Sequence, residues 1–393
     1  MNTDSRPTRV LMAVPHYPYP VLGGLERQSH ELAKALTALG LEVQALSGVN
    51  SPDQTGKETV EGIVVHRIPW PERKLLRFVR TPFDVLAVLR AQSRSYDVIH
   101  LHQFSWFGAF VIVAARLLGK PVLVKLSSVG SHSLPGMVGS SFGRTKLAIF
   151  KLADAVVAMS AESVGELKAV DFPMGRVLRT PNGIRLIPGA VRPDAAALCR
   201  VVFVGRLSSE KRIDDLLHAW QGVVRQASVP AVLELWGNGP AEDEMKALCT
   251  ELGIGGSVEF RGHVEDVRDR LGEMDVFVLT SAREGNSNAI LEAMAAGLPV
   301  VSTRVGGTPM LVGPEGAALL VNPGDREGLY SRLLSLVDDA NARRTVGGRM
   351  RARIEKHFDM TRVACTYAAA YRLLASRRRD ELDGVSNPVI NGA

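Results

Sequence analysis

The strongest constraint on this 393-residue chain is an alternation, run through twice, of short apolar segments and longer stretches with helical periodicity. The apolar segments fall at 9–14, 42–46, 63–67, 98–101, 122–126 and 155–159, then again at 200–204, 232–236, 258–261, 276–279 and 300–302. Helical patterns lie between them, such as 24–39, which stops at Gly40. Strand and helix in strict turn imply right-handed crossovers, so the expected class is α/β with two parallel sheets. Length agrees, because roughly 150 residues per domain makes two domains. The break is placed near 187–198, where Pro188, Gly189, Pro193 and a run of Ala separate two complete patterns. The expected division is an N-terminal domain over 1–190, a C-terminal domain over 191–360, a last helix over 361–379 and a loose tail over 380–393. Two such open sheets facing each other leave a cleft at their strand carboxyl ends, where ligands bind in these folds.

Composition narrows the class. Apolar residues at 46% and charged residues at 22% exclude disorder, collagen and coiled coil as the main architecture. Cys199, Cys249 and Cys365 are widely spaced and lack His partners at metal spacing, so neither a disulfide framework nor a zinc site is expected, and a reducing cytoplasm fits. The first residues run straight into an apolar strand without a signal-like segment. The longest apolar run, 104–115, is broken by Arg116 and is shorter than the ~20 residues of a spanning helix.

Charge is uneven. Residues 1–199 carry 23 Lys/Arg against 15 Asp/Glu, whereas 200–393 carry 24 against 26. The excess gathers at Arg67, Arg73, Lys74, Arg77, Arg80, Arg90 and Arg94, interleaved with Trp70, Leu75, Leu76, Phe78, Val79, Phe83, Leu86 and Leu89. Two readings stand: helices packing on their own domain with a solvated basic face, or a surface that lies on anionic lipid. No nucleic-acid module accompanies the charge, so nucleic acid is not an expected partner.

The most informative segment is 281–299, Ser-Ala-Arg-Glu-Gly-Asn-Ser-Asn-Ala-Ile-Leu-Glu-Ala-Met-Ala-Ala-Gly-Leu-Pro, directly after a strand. Ser287 can cap a helix from Asn288, which Gly297 and Pro299 end. Glu284 then sits on the loop and Glu292 on the helix, while the helix-start amides offer a place for a diphosphate. Taken alone, two glutamates eight apart are better explained as an exposed residue beside a helix and another on its outer face. A second strand-end segment, 203–212, adds Arg206 and Lys211, and two cations beside a helix start can neutralise a departing diphosphate without a metal. Gly237-Asn238-Gly239-Pro240 and Gly23-Gly24 are glycine turns where backbone can approach a ligand closely.

Together these segments resemble glycosyltransferase family 4, whose members have two facing Rossmann-like domains (the GT-B arrangement). The resemblance spans nearly the whole chain. It rests on Gly23-Gly24, Asp97-Val98-Ile99-His100-Leu101-His102, Pro181-Asn182-Gly183-Ile184, Val204-Gly205-Arg206-Leu207 with Lys211, Gly237 to Pro240, Gly262-His263-Val264, and Glu284 through Pro299. It implies transfer of a sugar from a nucleotide-diphosphate donor with retention at the anomeric carbon, and no covalent enzyme intermediate. Arg206 and Lys211 would hold the diphosphate, Glu284 the donor sugar and Glu292 the ribose. Amides around Asn286, Ser287, Asn288 and Ala289, with Gly23 and Gly24, would complete the phosphate pocket, and His263 and Val264 would meet the base. The N-terminal half would take the acceptor, and the last helix would cross back to it. No metal or resident cofactor is expected; the nucleotide, UDP, GDP or another, is left undetermined.

Two departures fall on the acceptor side. Family members often place a histidine after the strand matching 122–126, where this chain has Ser127; His102 or His132 could take that role, or His102 could simply pack at a strand end. Arg185 follows Pro-Asn-Gly-Ile where Asp is usual. The leading expectation is a cytoplasmic transferase that builds a cell-envelope glycan on a glycan or lipid-linked acceptor, with peripheral contact to an anionic membrane. A GT-B-type nucleotide-sugar epimerase and a catalytically silent nucleotide-sugar binder are the alternatives. A dinucleotide-binding dehydrogenase is disfavoured, because the first strand–helix loop lacks G-x-G-x-x-G.

Overall fold

A computed structural model describes residues 6–17, 23–49, 55–126, 134–186 and 198–390. The chain divides into two units, Met1–Arg185 with Met360–Gly392, and Leu186–Asp359. The expected boundary at 190/191, with Pro188, Gly189 and Pro193, lies outside the described residues.

The first unit opens with β1 (Arg9–Ala13), α1 (Gly24–Ala38), β2 (Glu42–Val49), β3 (Gly56–Val60) and β4 (Ile63–Pro69). It continues with α2 (Lys74–Ala91), β5 (Val98–His102), α3 (Trp106–Leu117), β6 (Val122–Lys125), α4 (Leu134–Val138) and α5 (Gly143–Phe150), then β7 (Ala155–Ala158), α6 (Ala161–Ala169) and β8 (Val177–Arg179). The sheet order is β3-β4-β2-β1-β5-β6-β7-β8. Every pair is parallel except β3 with β4, an antiparallel hairpin closed at Gly62, whose φ of +85° suits glycine.

Strand period explains the two-sided core. Leu11 and Ala13 of β1 join a cluster that includes Val85, Phe107 and Phe150 on one face. Val10 and Met12 join Leu32, Leu36 and Tyr367 on the other. A strand buried on both faces reads as an unbroken apolar run, the pattern of the sequence.

The second unit holds β9 (Cys199–Val204), α7 (Ile213–Gln226), β10 (Ala231–Trp236), α8 (Glu242–Glu251), β11 (Val258–Gly262), α9 (Val267–Leu271) and β12 (Val276–Leu279). After these come α10 (Asn288–Ala295), β13 (Val300–Thr303), α11 (Thr308–Gly316), β14 (Leu320–Val321), α12 (Arg326–Asp338) and α13 (Ala340–His357). The order β11-β10-β9-β12-β13-β14 is all parallel, and counted within the unit it is 3-2-1-4-5-6, the doubly wound arrangement. In such a sheet the chain turns opposite ways on either side of β9, so a crevice opens beyond the ends of β9 and β12.

The chain then returns to the first unit as α14 (Met360–Ala375). Its start is fixed there: Met360 N–H donates to Ile184 O at 2.9 Å, and a Cβ on Gly183 would press against Met360 and Val363. The expected loose tail needs correction. Residues 379–385 and 388–390 form 3₁₀ turns that bury Leu382 and Ile390. They hydrogen-bond along the edge strand β8, through Asn387 N–H to Arg179 O (2.7 Å) and Arg179 N–H to Ser386 Oγ (2.9 Å), while Arg379 pairs with Asp154 at 2.9 Å. Two apolar anchors and an open strand edge outweigh a Gly-Asn-Pro composition.

Candidate active site

The crevice of the second unit is built from the loops after β9 and β12. Both loops are stitched together: Ala282 N–H donates to Glu210 O at 2.8 Å, and Thr280 Oγ1 donates to Lys211 O at 2.8 Å. Lys211 ends a 3₁₀ turn, Ser209–Lys211, and Arg212 behind it takes a left-handed φ of +48°, held by its guanidinium on Asp215. This turn aims Lys211 back over the sheet edge, where its ammonium donates to Glu284 Oε1 at 2.5 Å. Ser281 Oγ donates to the same oxygen at 2.7 Å. Thus two donors from two strand ends converge on one carboxylate oxygen. Arg206, one turn earlier, is exposed, and its guanidinium makes no hydrogen bond or ion pair among the described residues.

The helix start beside them is α10. Ser287 occupies the N-cap position, but its hydroxyl makes no capping bond, against the sequence expectation. Its backbone instead accepts from Leu291 N–H at 3.2 Å. The first-turn amides of Ala289 and Ile290 have no acceptor within the helix, which is the chemistry of an anion site. Asn286 and Ser287 are buried and Asn288 half-buried. Glu292 is buried too, not on an outer face: it lies one turn on and meets Arg268 of α9 at 3.4 Å.

The Gly237–Pro240 turn has a structural reason for its glycines. Leu207 N–H donates to Asn238 O at 3.1 Å and Gly237 N–H to Gly262 O at 2.6 Å, zipping the loops after β9, β10 and β11. A Cβ on Gly237, where φ is +136°, would overlap Gly205 O, and one on Gly239 would overlap Leu207 O. The close approach is therefore loop to loop. His263 is exposed past the end of β11, and Val264 is buried beside it.

In the first unit the equivalent crevice lies between β1 and β5. Gly23 is the extended N-cap of α1, with Gly24 exposed as its first residue, and the Glu26 carboxylate folds back over that start. His102 ends β5, fully buried, its ring centroid 3.9 Å from that of His100 and tilted 36° to it, and His100 Nδ1 meets Tyr371 Oη at 2.7 Å. Burial holds both imidazoles well below their ordinary pKa, so both are neutral, and neither Nε2 has a partner among the described residues. His102 is thus buried at a strand end. Ser127 and His132 lie outside the described residues.

Sequence reading missed Lys125. It ends β6, buried, donating to Asn182 Oδ1 at 2.6 Å, with burial alone lowering its pKa to about 8. Gln28 Nε2 holds the neighbouring Gly183 O at 2.9 Å. A lone lysine at a strand end carries no spacing signal, and its partner is 57 residues away. Arg268, 24 residues before its partner Glu292, was missed for the same reason, whereas Ser281 lies only three residues before Glu284 and was passed over inside the segment itself. Among the described residues no three His, Cys, Asp or Glu side chains converge as ligands for a metal ion.

Residues 23–183 match the family model described as "Glycosyl transferase 4-like domain", and residues 199–339 match "Glycosyl transferases group 1". The chain is 24% identical over 371 residues to N-acetyl-alpha-D-glucosaminyl L-malate synthase of Bacillus anthracis, covering 90% of this chain and 94% of that protein. It is 27% identical over 373 residues to the lipopolysaccharide core biosynthesis glycosyltransferase LpsE of Rhizobium meliloti, covering 93% and 100%. Among solved structures, sucrose-phosphate synthase from Thermosynechococcus elongatus is similar with a TM-score of 0.78 at 25% identity, covering 95% and 100% of the two chains. HepE of Anabaena, in complex with UDP-glucose, is similar with a TM-score of 0.72 at 20% identity, covering 94% and 99%.

Proposed function

Because the chain belongs to the group 1 glycosyltransferases of family 4, with the GT-B fold, we propose that it moves a sugar from a nucleotide-diphosphate donor, with retention, to a glycan or lipid-linked acceptor of the cell envelope. The observation that carries this reading is the Lys211–Glu284 pair at the crevice between β9 and β12, with Arg206 exposed and unengaged earlier on the same loop after β9.

Without a donor, Lys211 and Glu284 satisfy each other. A bound diphosphate takes Lys211 and Arg206, and the first-turn amides of α10 take a further phosphate oxygen. Glu284, released, accepts from the donor sugar's hydroxyls while Ser281 keeps it oriented. As the glycosidic bond breaks, charge grows on the leaving phosphate, which the two bound cations neutralise; a charge-stabilising donor of this kind is worth about 10²–10³ in rate. The leaving phosphate also receives the acceptor hydroxyl's proton, so the protein supplies no nucleophile. Glu292, held by Arg268, receives the ribose hydroxyls, and the backbone around His263 and Val264 meets the base. No metal is needed in this scheme, because lysine and arginine neutralise the diphosphate.

We place the enzyme in the cytoplasm, against the inner face of the membrane. No described helix is long and apolar enough to cross a bilayer. The test is thermal unfolding against UDP, GDP and their glucose and mannose conjugates, with and without EDTA. A ligand that binds only the native state raises the melting temperature, by about 2.7 kcal/mol of added stability at a hundred times Kd. One nucleotide should raise it equally in both conditions; no shift with any of them rejects the reading.

A further inference from the structure

The first unit exposes an apolar surface that its own core does not use. On α2, Thr81, Val85 and Leu89 face inward and are buried. A second stripe on a different face, Leu75, Leu76, Val79 and Phe83, stands in solvent, with Leu75 78% and Phe83 70% exposed. On α3 the same doubling occurs: Phe107, Val111 and Ala114 are buried, while Trp106, Phe110, Val113 and Leu117 follow one another at helical spacing on the other side, Leu117 being 73% exposed. A helix apolar on more than one face normally has something covering each.

The stripes are joined by aromatic rings. Phe78 of α2 meets Trp106 at 5.1 Å and Phe110 at 5.4 Å, and Trp106 meets Phe142 at 6.1 Å. Phe142, just before α5, is 70% exposed and adopts the left-handed conformation, φ +61° and ψ +26°. A bulky side chain there is strained, and the next residue, Gly143, packs so tightly on the carbonyl of Val138 that no Cβ would fit. The corner therefore holds an aromatic ring outward into water.

The rim is basic. Residues 70–94 carry six Lys/Arg against two Asp/Glu, and residues 134–152 carry three against none. Arg73, Arg80, Arg90, Arg94, Arg116 and Arg144 are exposed, and Lys146 lies 5.4 Å over the Trp106 ring. A second copy of this chain would bring like charge against like charge across such a surface. An anionic bilayer offers the complement to both features at once, headgroups for the rim and acyl chains for the apolar stripes.

We propose that α2, α3 and the α4–α5 corner form one platform that seats on anionic lipid, with Leu75, Phe83 and Phe142 entering the headgroup–acyl boundary. The purpose of the platform, bringing the enzyme to a lipid-linked acceptor, rests on the reading above; its existence does not.

The experiment is co-flotation of the full chain with vesicles of equal parts phosphatidylglycerol and phosphatidylcholine, and with phosphatidylcholine alone. The protein should float with the anionic vesicles only, and less as salt is raised. The triple variant Leu75→Ser, Phe83→Ser, Phe142→Asn changes exposed positions alone, and asparagine suits a left-handed residue, so its melting temperature should hold. Its partition should fall about tenfold or more. Failure of the wild type to float, or equal flotation of the variant, overturns the proposal. So does a wild-type dimer in the analytical ultracentrifuge that the variant converts to monomer without vesicle binding, since a second copy would then cover the face. Nucleotide-induced melting shifts are read on the same samples. Flotation without any shift keeps the platform and rejects the transferase reading, and a shift without flotation does the reverse.

Discussion

Apart from the added hairpin strand β3 and the extra edge strand β8 of the first unit, both sheets wind the same way about their first strand, β1 in one and β9 in the other, and each opens a crevice beside it, between β1 and β5 and between β9 and β12. The contents differ. Beyond β9 and β12 stand Arg206, Lys211 and Glu284, charged and within reach of water. Beyond β1 and β5 stand His102 and His100, buried, neutral and in tilted ring contact, with Lys125 buried one strand away. A shared topology fixes where a ligand can sit, while the residues at the strand ends decide what chemistry is done there.

The sharpest way to break this contrast is to remove the charges of the second crevice. Arg206→Ala and Lys211→Ala should each lower kcat by about 10²–10³ with little change in melting temperature. Near-normal turnover in both would leave the second crevice with no claim on the leaving group.

The next test asks whether Lys125 is as sealed as it looks. Its folded pKa of about 8 lies below the 10.5 of an ordinary lysine, so between those values the unfolded chain binds more protons. Stability from this group therefore rises with pH across that window, and below pH 8 the folded state carries the whole burden of a buried ammonium. Against a Lys125→Met variant, wild-type stability should gain roughly 3 kcal/mol between pH 7 and pH 11, at about 1.36 kcal/mol per unit. Denaturant melts of the two proteins across that range read it directly. A difference that stays flat would mean that the lysine is solvated and the first crevice is open.

The smallest effect sharpens the partner exchange at Glu284. In Glu284→Gln the carboxylate that holds Lys211 is gone, so nucleoside diphosphate should bind a few-fold tighter by calorimetry while turnover falls. Weaker diphosphate binding would show that Glu284 organises Lys211 rather than competing for it.

The same contrast marks how far sequence could see. The strand carrying Arg206 and the one before Glu284 announce themselves as apolar runs, and the loops after them hold the charged residues in plain order. Partnerships were another matter. Arg268 reaches Glu292 and Lys125 reaches Asn182 from separate elements, so no local spacing encodes either pair. The antiparallel β3, Gly-Lys-Glu-Thr-Val, is an exposed edge with hardly an apolar residue, so alternation is absent from it. Residues 379–390 look like a tail because Leu382 and Ile390 are isolated apolar residues in a polar stretch; only the open edge of β8 gives them a place.

The return of the chain at Met360 has a consequence for synthesis. One wall of the first unit's core, with Tyr367 and Tyr371 against His100, is encoded after the whole of the second unit. On the ribosome the second unit can close by itself while the first waits, one face of its sheet only part-covered by α1, until the last helix emerges. A nonsense codon just past Asp359 would accordingly spare the later-made unit and cripple the earlier one.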